Sequence, residues 1–314
     1  MRKKVLVVGG GNGLSTLLKG LKQFPIDITA VVSVSDDGKS TGKLRTEFHT
    51  PAVGDIRRVL LSLAQTEPLF EQLWNYRFDQ KSTLQGHTVG NILLTAMIDI
   101  NGNISSGMES LGKVLNLKGT VLPFTEDNVT LVAQMMDGIV VEGEENITNY
   151  NGKIKDIWYK NIPTVNPSVL ESVASADLII LSMGSLYTSI VPNLLSEEIK
   201  NAIKKSNARI MYICNMMTQP GETDKYAVSD HIRVCNKYLG KSINVVLANT
   251  GKISTEIQKK YATLEQKDPV QFDKEEIEKL DIECITNNYV MIEDNVLRHN
   301  VEKLALDIYT YLIK

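Results

Sequence analysis

At 314 residues the chain can bury a substantial core, and 34 basic against 37 acidic side chains leave a net charge of −3, which disfavours a nucleic-acid scaffold or an anionic membrane surface as partner. Three widely spaced cysteines, Cys214, Cys235 and Cys284, contain no C-x-x-C pair, which argues against a disulfide framework and structural zinc and points to a reducing compartment. The basic stretch 1–4 is followed by an apolar run over 5–8 only, too short for a secretory core or a membrane span, so the expected location is cytoplasmic without membrane insertion.

In chain order, apolar runs rich in valine and isoleucine predict parallel core strands at 5–8, 28–34, 178–181, 210–213 and 245–247, alternating with helical patterns at 14–21, 56–64, 92–98, 228–238 and 301–312. This alternation is that of a doubly wound, mostly parallel Rossmann-like α/β sheet with helices on both faces. No Gly/Ser-rich or Pro-rich linker interrupts it, and a single α/β domain over 1–314 is expected. Between 119 and 160 the texture changes to short alternating stretches at 129–133, 139–141 and 154–159, separated by Asp137-Gly138 and Asn151-Gly152, which predicts a small antiparallel insertion. Residues 265–280 are charged and polar and predict a solvated helical excursion. Asp230-His231 reads as a helix-surface pair.

The chemistry-bearing segments follow the strands. After 5–8 comes Gly9-Gly10-Gly11-Asn12-Gly13-Leu14-Ser15, a turn in which the backbone is open to a ligand and the N–H groups of the next helix favour an anion. Leu14 stands where the dinucleotide fingerprint requires its third glycine, which counts against a nicotinamide-dependent oxidoreductase. Ser35-Asp36-Asp37-Gly38 follows the second strand, where a doubly wound fold places ribose-binding or metal-binding acids, with Ser40 just beyond; Ser33 occupies the position of the first P-loop glycine, which excludes that motif. Gly54-Asp55-Ile56-Arg57 predicts a helix with Asp55 as N-cap and Arg57 and Arg58 in its first turn, cations that a bound phosphate would satisfy or that water would solvate. Gly86-His87-Thr88-Val89-Gly90-Asn91 repeats the design of a polar turn feeding an apolar helix, with Asn91 a ligand contact and His87 a candidate acid, base or phosphate donor. Three more strands end in the polar turns 184–189, 215–223 and 249–251, so five strand ends are expected to line one crevice. No serine nucleophile elbow, H-E-x-x-H or Cys/His pair is present.

Six ordered blocks carry a resemblance over nearly the whole chain: the Gly9 to Ser15 turn, Ser35-Asp36-Asp37-Gly38, Gly54-Asp55-Ile56-Arg57, Gly86-His87-Thr88-Val89-Gly90-Asn91, Gly184-Ser185-Leu186-Tyr187-Thr188-Ser189 and Thr218-Gln219-Pro220-Gly221-Glu222-Thr223. Together they resemble the YvcK/CofD-like family, in its YvcK branch of gluconeogenesis factors. The resemblance implies a cytoplasmic protein that binds UDP-sugars such as UDP-N-acetylglucosamine and supports cell shape and envelope growth under gluconeogenic conditions. The CofD branch instead implies a Mg²⁺-dependent 2-phospho-L-lactate transferase acting between a guanosine diphosphate donor and a deazaflavin, with Asp36 and Asp37 as metal or acceptor carboxylates. Two positions depart from the family pattern, Lys39 for a second glycine and Met183 for a proline, while Arg298-His299-Asn300 resembles the family's terminal element and would return a guanidinium to the ligand.

The expected function is therefore a nucleotide-sugar-binding regulator. Its ligand contacts would be Gly10, Gly11, Asn12, Gly13, Ser15, Asp36, Asp37, Ser40, Asp55, Arg57, His87, Asn91, Ser185, Ser189, Asn215 and Arg298. Asp36, Asp37 and His87 are the candidate catalytic groups should a reaction occur, and Asp36 with Asp37 the candidate Mg²⁺ ligands. The partners are a small-molecule nucleotide sugar and a regulatory protein not identifiable from sequence, with a homo-oligomer an open option.

Overall fold

The computed structural model describes residues 2–48, 51–79 and 83–314. Strands run in the order β1 (Lys4–Gly9), β2 (Asp27–Val32), β3 (Thr120–Pro123), β4 (Leu131–Met135), β5 (Val140–Glu142), β6 (Ile154–Tyr159), β7 (Leu178–Leu181), β8 (Arg209–Ile213), β9 (Val245–Asn249), β10 (Glu283–Asn287), β11 (Val290–Glu293) and β12 (Val296–His299). The first half carries helices α1 (Gly11–Leu21), α2 (Lys39–Phe48), α3 (Gly54–Leu63), α4 (Pro68–Asn75), α5 (Val89–Asn101), α6 (Ile104–Val114) and α7 (Glu144–Asn149). The second half carries α8 (Pro167–Ser175), α9 (Glu197–Lys205), α10 (Val228–Leu239), α11 (Thr255–Glu265), α12 (Lys274–Glu278) and α13 (Val301–Ile313).

Seven strands pair in the order β10-β9-β8-β7-β1-β2-β3, every pairing parallel. The apolar runs explain this: β7 is buried at every position and β1 at all but Lys4, as a sheet covered on both faces requires. The chain leaves β1 toward β2 and β3, then returns to the other side of β1 as β7. That reversal puts the topological switch point at the carboxyl ends of β1 and β7, the place where such sheets bind ligands. Two strands of this sheet lay outside the sequence expectation, as did the β11–β12 hairpin. β3 is short, ends in Pro123 and joins the parallel sheet beside β2, and β10 is a half-exposed edge strand without an apolar run.

Leu14, Leu17, Leu18 and Leu21 put the apolar face of α1 into the core, where α1 packs on α3 and α13. Gly20 allows the close crossing with α13, since a Cβ there would lie 2.8 Å from Val301 Cγ2. Beyond β3 the chain forms an antiparallel sheet in the order β5-β4-β6, with α7 between β5 and β6. The polar stretch after α11 passes through bridges of Met217 to Pro269 and Ala227 to Gln271 before α12. His231 corrects the surface expectation: it is fully buried in α10, with Nδ1 2.9 Å from the Ala227 carbonyl and its ring between Tyr212 and Tyr226. Among the described residues no helix is long and apolar enough to cross a membrane.

Candidate functional site

The glycine turn leads directly from β1 into α1. Gly10 is the extended N-cap and makes no side-chain cap bond, and no acid stands in the first turn, so the leading N–H groups of α1 have no partner within the helix. Gly11 has φ +59, a left-handed conformation that favours glycine. Gly13 has no room for a side chain at all, because a Cβ would sit 1.5 Å from the Met183 carbonyl oxygen. The loop after β7 is thus pressed against the start of α1, and Ser189 approaches Gly10, with its Oγ 3.6 Å from where a Gly10 Cβ would be. Asn12 is exposed at the mouth, whereas Ser15 is buried and donates its hydroxyl to the Gly11 carbonyl at 2.9 Å.

Asp55 was expected to cap α3, but the cap position is Val53 and carries no side-chain bond. Asp55 instead sits inside the first turn and points across at the glycine turn, its Oδ2 2.7 Å from an imagined Gly10 Cβ. It pairs there with Arg58. Burial opposes the charge on Arg58, but Asp55 outweighs it and the guanidinium is held more firmly protonated than usual. Arg57 takes the opposite direction. It is 6 % exposed, donates to Asn75 Oδ1 at 2.6 Å and lies against Gly90 at the start of α5. Among the described residues it has no carboxylate partner, and burial, then Arg58 and Arg77, lower its pKa to about 10. Asp55 works the other way, and a buried cation whose side-chain hydrogen bond goes to an amide is costly.

Adjacency of Asp36 and Asp37 in sequence does not make them a pair in space. Asp36 holds the start of α2, accepting from Gly38 N–H at 2.9 Å and Thr41 Oγ1 at 3.2 Å. Burial first, and then Asp55, raise its pKa. Asp37 accepts the backbone N–H groups of Glu144 and Glu145 at 3.1 and 2.8 Å, capping α7 from a distant part of the chain. Arg45 makes a second tie, donating to the Asp36 and Val129 carbonyls at 3.1 and 2.7 Å. The antiparallel unit is thereby fastened over the β2 loop. The side chain of Ser40 lies outside the described residues.

That fastening brings in Glu144, which sequence reasoning missed because only the tertiary fold places it near the crevice. Burial, then Asp36, push its pKa up to about 7, while hydrogen bonds from Thr188 and Thr148 work the other way. A second missed carboxylate is Glu222, 2 % exposed. Its Oε2 accepts from Ser185 Oγ at 2.6 Å and Tyr187 N–H at 3.3 Å, and its Oε1 accepts from Gln219 at 2.6 Å. Burial pushes it up to about 7 despite these bonds. Ser185 is also 2.6 Å from Thr188 Oγ1, so its hydroxyl bridges Glu222 and Thr188. The sequence block around Gln219 contains Glu222, but its burial could not be read from composition.

Asn215 clamps the β7 loop, accepting from Gly184 N–H at 3.1 Å and donating to the Gly184 carbonyl at 2.6 Å. His87 and Asn91 are buried where the chain enters α5, which abuts α2 and α3; Thr88 caps this helix by accepting from Asn91 N–H. The structure thus gathers the glycine turn, Asp36, Asp55, Arg58, Ser189 and Asn215 at one end of the sheet, with Arg57, His87 and Asn91 behind them. Arg298 lies on the β11–β12 hairpin, half-exposed, with Nε 3.5 Å from Glu293 Oε2. As a Mg²⁺ site the Asp36-Asp37 pair does not fit, because Asp37 is turned to α7, and the described residues contain no group of three His, Cys, Asp or Glu arranged to hold a metal.

Residues 5–290 match the family described as 2-phospho-L-lactate transferase CofD. The chain is 44% identical over 307 residues to a gluconeogenesis factor of Bacillus subtilis, covering 97% of this chain and 96% of that one. It belongs to the CofD/YvcK family. A putative gluconeogenesis factor of Thermotoga maritima is 48% identical over 276 residues, covering 88% of this chain and 87% of its own. A crystal structure of a Bacillus halodurans protein superposes with a TM-score of 0.95 at 43% identity, covering 98% of this chain and 100% of that one. Within the CofD/YvcK family, then, both the doubly wound sheet and the small antiparallel unit of this chain have a counterpart of known structure.

Proposed function

We propose that this protein is a YvcK-type regulator that binds a nucleotide sugar of the UDP-N-acetylglucosamine class and supports envelope growth and cell shape under gluconeogenic conditions. The observation that carries this reading is the uncapped N-terminus of α1 at the sheet's reversal point, backed by Arg57, a buried guanidinium without a carboxylate partner among the described residues. The diphosphate takes the α1 N–H groups, with Arg58 and Arg57 as its counter-charges. Sugar and ribose hydroxyls are gripped by Asp36, Asp55, Ser189 and Asn215, groups that accept or donate at fixed positions. Ligand closes the unit that Asp37 and Arg45 fasten over the β2 loop, and that conformer is what a partner protein would recognise. The gluconeogenesis factors similar to this chain support the regulatory side of the proposal.

Calorimetry with UDP-N-acetylglucosamine and with GDP tests it. Saturable heat with the UDP-sugar is expected, and no binding at millimolar concentration would refute it. The family description favours one second reading, transfer of phospholactate from a guanosine diphosphate donor to a deazaflavin. Product formation in that assay with Mg²⁺ present, together with tight GDP binding, would replace the regulatory proposal.

A further inference from the structure

We propose that a separate cavity at the carboxyl ends of β8 and β9 seats the nucleobase of the ligand, an inference that rests on the nucleotide-sugar reading above. The cavity has a volume of about 260 Å³ and lies between the loop after β8, the loop after β9 and residues 269–272. Pockets for whole ligands run from roughly 300 to 1,000 Å³, so this one suits a single ring system and not an entire nucleotide sugar.

Its chemistry is that of a heterocycle. Met216, Val270 and Phe272 supply apolar and aromatic surface for the faces of a ring, and no carboxylate lines it. Polar groups in the lining are the amides Asn215, Asn249 and Gln258, with Thr250 and Lys252 beside them. Gln258 donates one N–H to the Ile253 carbonyl at 2.8 Å, which leaves its other N–H and its carbonyl oxygen unbonded among the described residues. Asn249 donates one N–H to the Gly251 carbonyl at 3.0 Å and retains the other. A donor set beside an acceptor is what the edge of a base requires, whereas sugar hydroxyls find the carboxylates Asp36, Asp55 and Glu144 on the far side of the glycine turn. Asn215 joins the two regions, since it lines this cavity and clamps Gly184, whose own Cβ position is 3.7 Å from the Gly10 carbonyl oxygen. Asn215 thus ties the cavity wall to the β7 loop that packs beside the phosphate turn.

The test is photolabelling of the full chain with 5-azido-UDP-N-acetylglucosamine, which reacts from the base, followed by peptide mapping with and without excess UDP-N-acetylglucosamine. Adducts within 214–216 or 269–272 that the competitor suppresses are expected. Suppressible adducts within 36–58 or 144–150 would overturn the base assignment and leave nucleotide-sugar binding intact. Absence of any suppressible adduct would also overturn it, and calorimetry on the same preparation then shows whether UDP-N-acetylglucosamine binding fails as well. In parallel, Gln258→Ala and Phe272→Ala are expected to weaken UDP-N-acetylglucosamine binding about tenfold each while the affinity for inorganic pyrophosphate holds. Gln258→Ala removes a half-buried side chain and keeps the test open should Phe272→Ala fold poorly; unchanged UDP-N-acetylglucosamine affinity in Gln258→Ala would contradict the proposal.

Discussion

Replacing Glu222 by glutamine removes one proton-binding site from the interior and should change how stability depends on pH. In the folded protein burial lifts this carboxyl from 4.5 to about 7, so the native state holds the proton more tightly than the unfolded chain does. The associated stability is fully present below pH 4.5 and is lost as pH rises through 7. At about 1.4 kcal/mol per pH unit, that rise corresponds to about 3 kcal/mol, or on the order of 5 °C in the unfolding temperature of a chain this size. The amide introduced by Glu222→Gln keeps an acceptor for Ser185 and Tyr187 and turns its NH₂ toward Gln219, which can rotate to receive it. Calorimetric unfolding of both proteins from pH 4.5 to 8 should therefore show the wild type losing ground to Glu222→Gln by about 3 kcal/mol. Parallel curves over that interval would refute the claim that a buried carboxyl sits behind Ser185.

Arg57→Met should cost UDP-N-acetylglucosamine affinity at least tenfold in calorimetry while leaving the unfolding temperature level or higher, because a buried cation with no ion pair among the described residues gives way to an apolar side chain of similar length; a protein that binds normally or fails to fold would contradict this. Asp37→Ala removes two charge-assisted bonds to the start of α7, each worth roughly 1.5–3 kcal/mol. Hydrogen exchange should accelerate by tenfold or more in residues 140–150 with the central sheet unaffected, and unchanged exchange there would show that Asp37 does not fasten the unit. Gly13→Ala should destabilise the protein by about 3 kcal/mol or more in urea titration, since the turn before Gly184 has to move away from α1; a change below about 1 kcal/mol would mean that the two loops are not in contact.

The central strands were legible because a doubly covered parallel sheet writes itself as uninterrupted apolar runs, as in 178–181. β3 and β10 escaped for the converse reason: one is short and ends in proline, the other is an edge strand whose residues are half-exposed. The glycine turn after β1 was legible, since glycine is demanded there by backbone conformation at Gly11 and by contact at Gly13. What each charged side chain does was not legible. Asp36 and Asp37 are neighbours with different tasks, and of two adjacent arginines Arg58 meets Asp55 while Arg57 turns to Asn75. Helical and loop geometry sends consecutive side chains in different directions, and only packed coordinates say which direction reaches the site. Glu144 is the extreme case, brought to Thr188 from a separate sheet through a cap supplied by Asp37.

The central claim is that the start of α1 holds the diphosphate of a nucleotide sugar. A crystal structure of the protein with UDP-N-acetylglucosamine tests it most directly. The account predicts phosphate oxygens within hydrogen-bond distance of the backbone N–H groups of Gly11 and Asn12, with an arginine of α3 turned toward them. A ligand bound elsewhere, with the glycine turn vacant and both arginines unmoved, would contradict it.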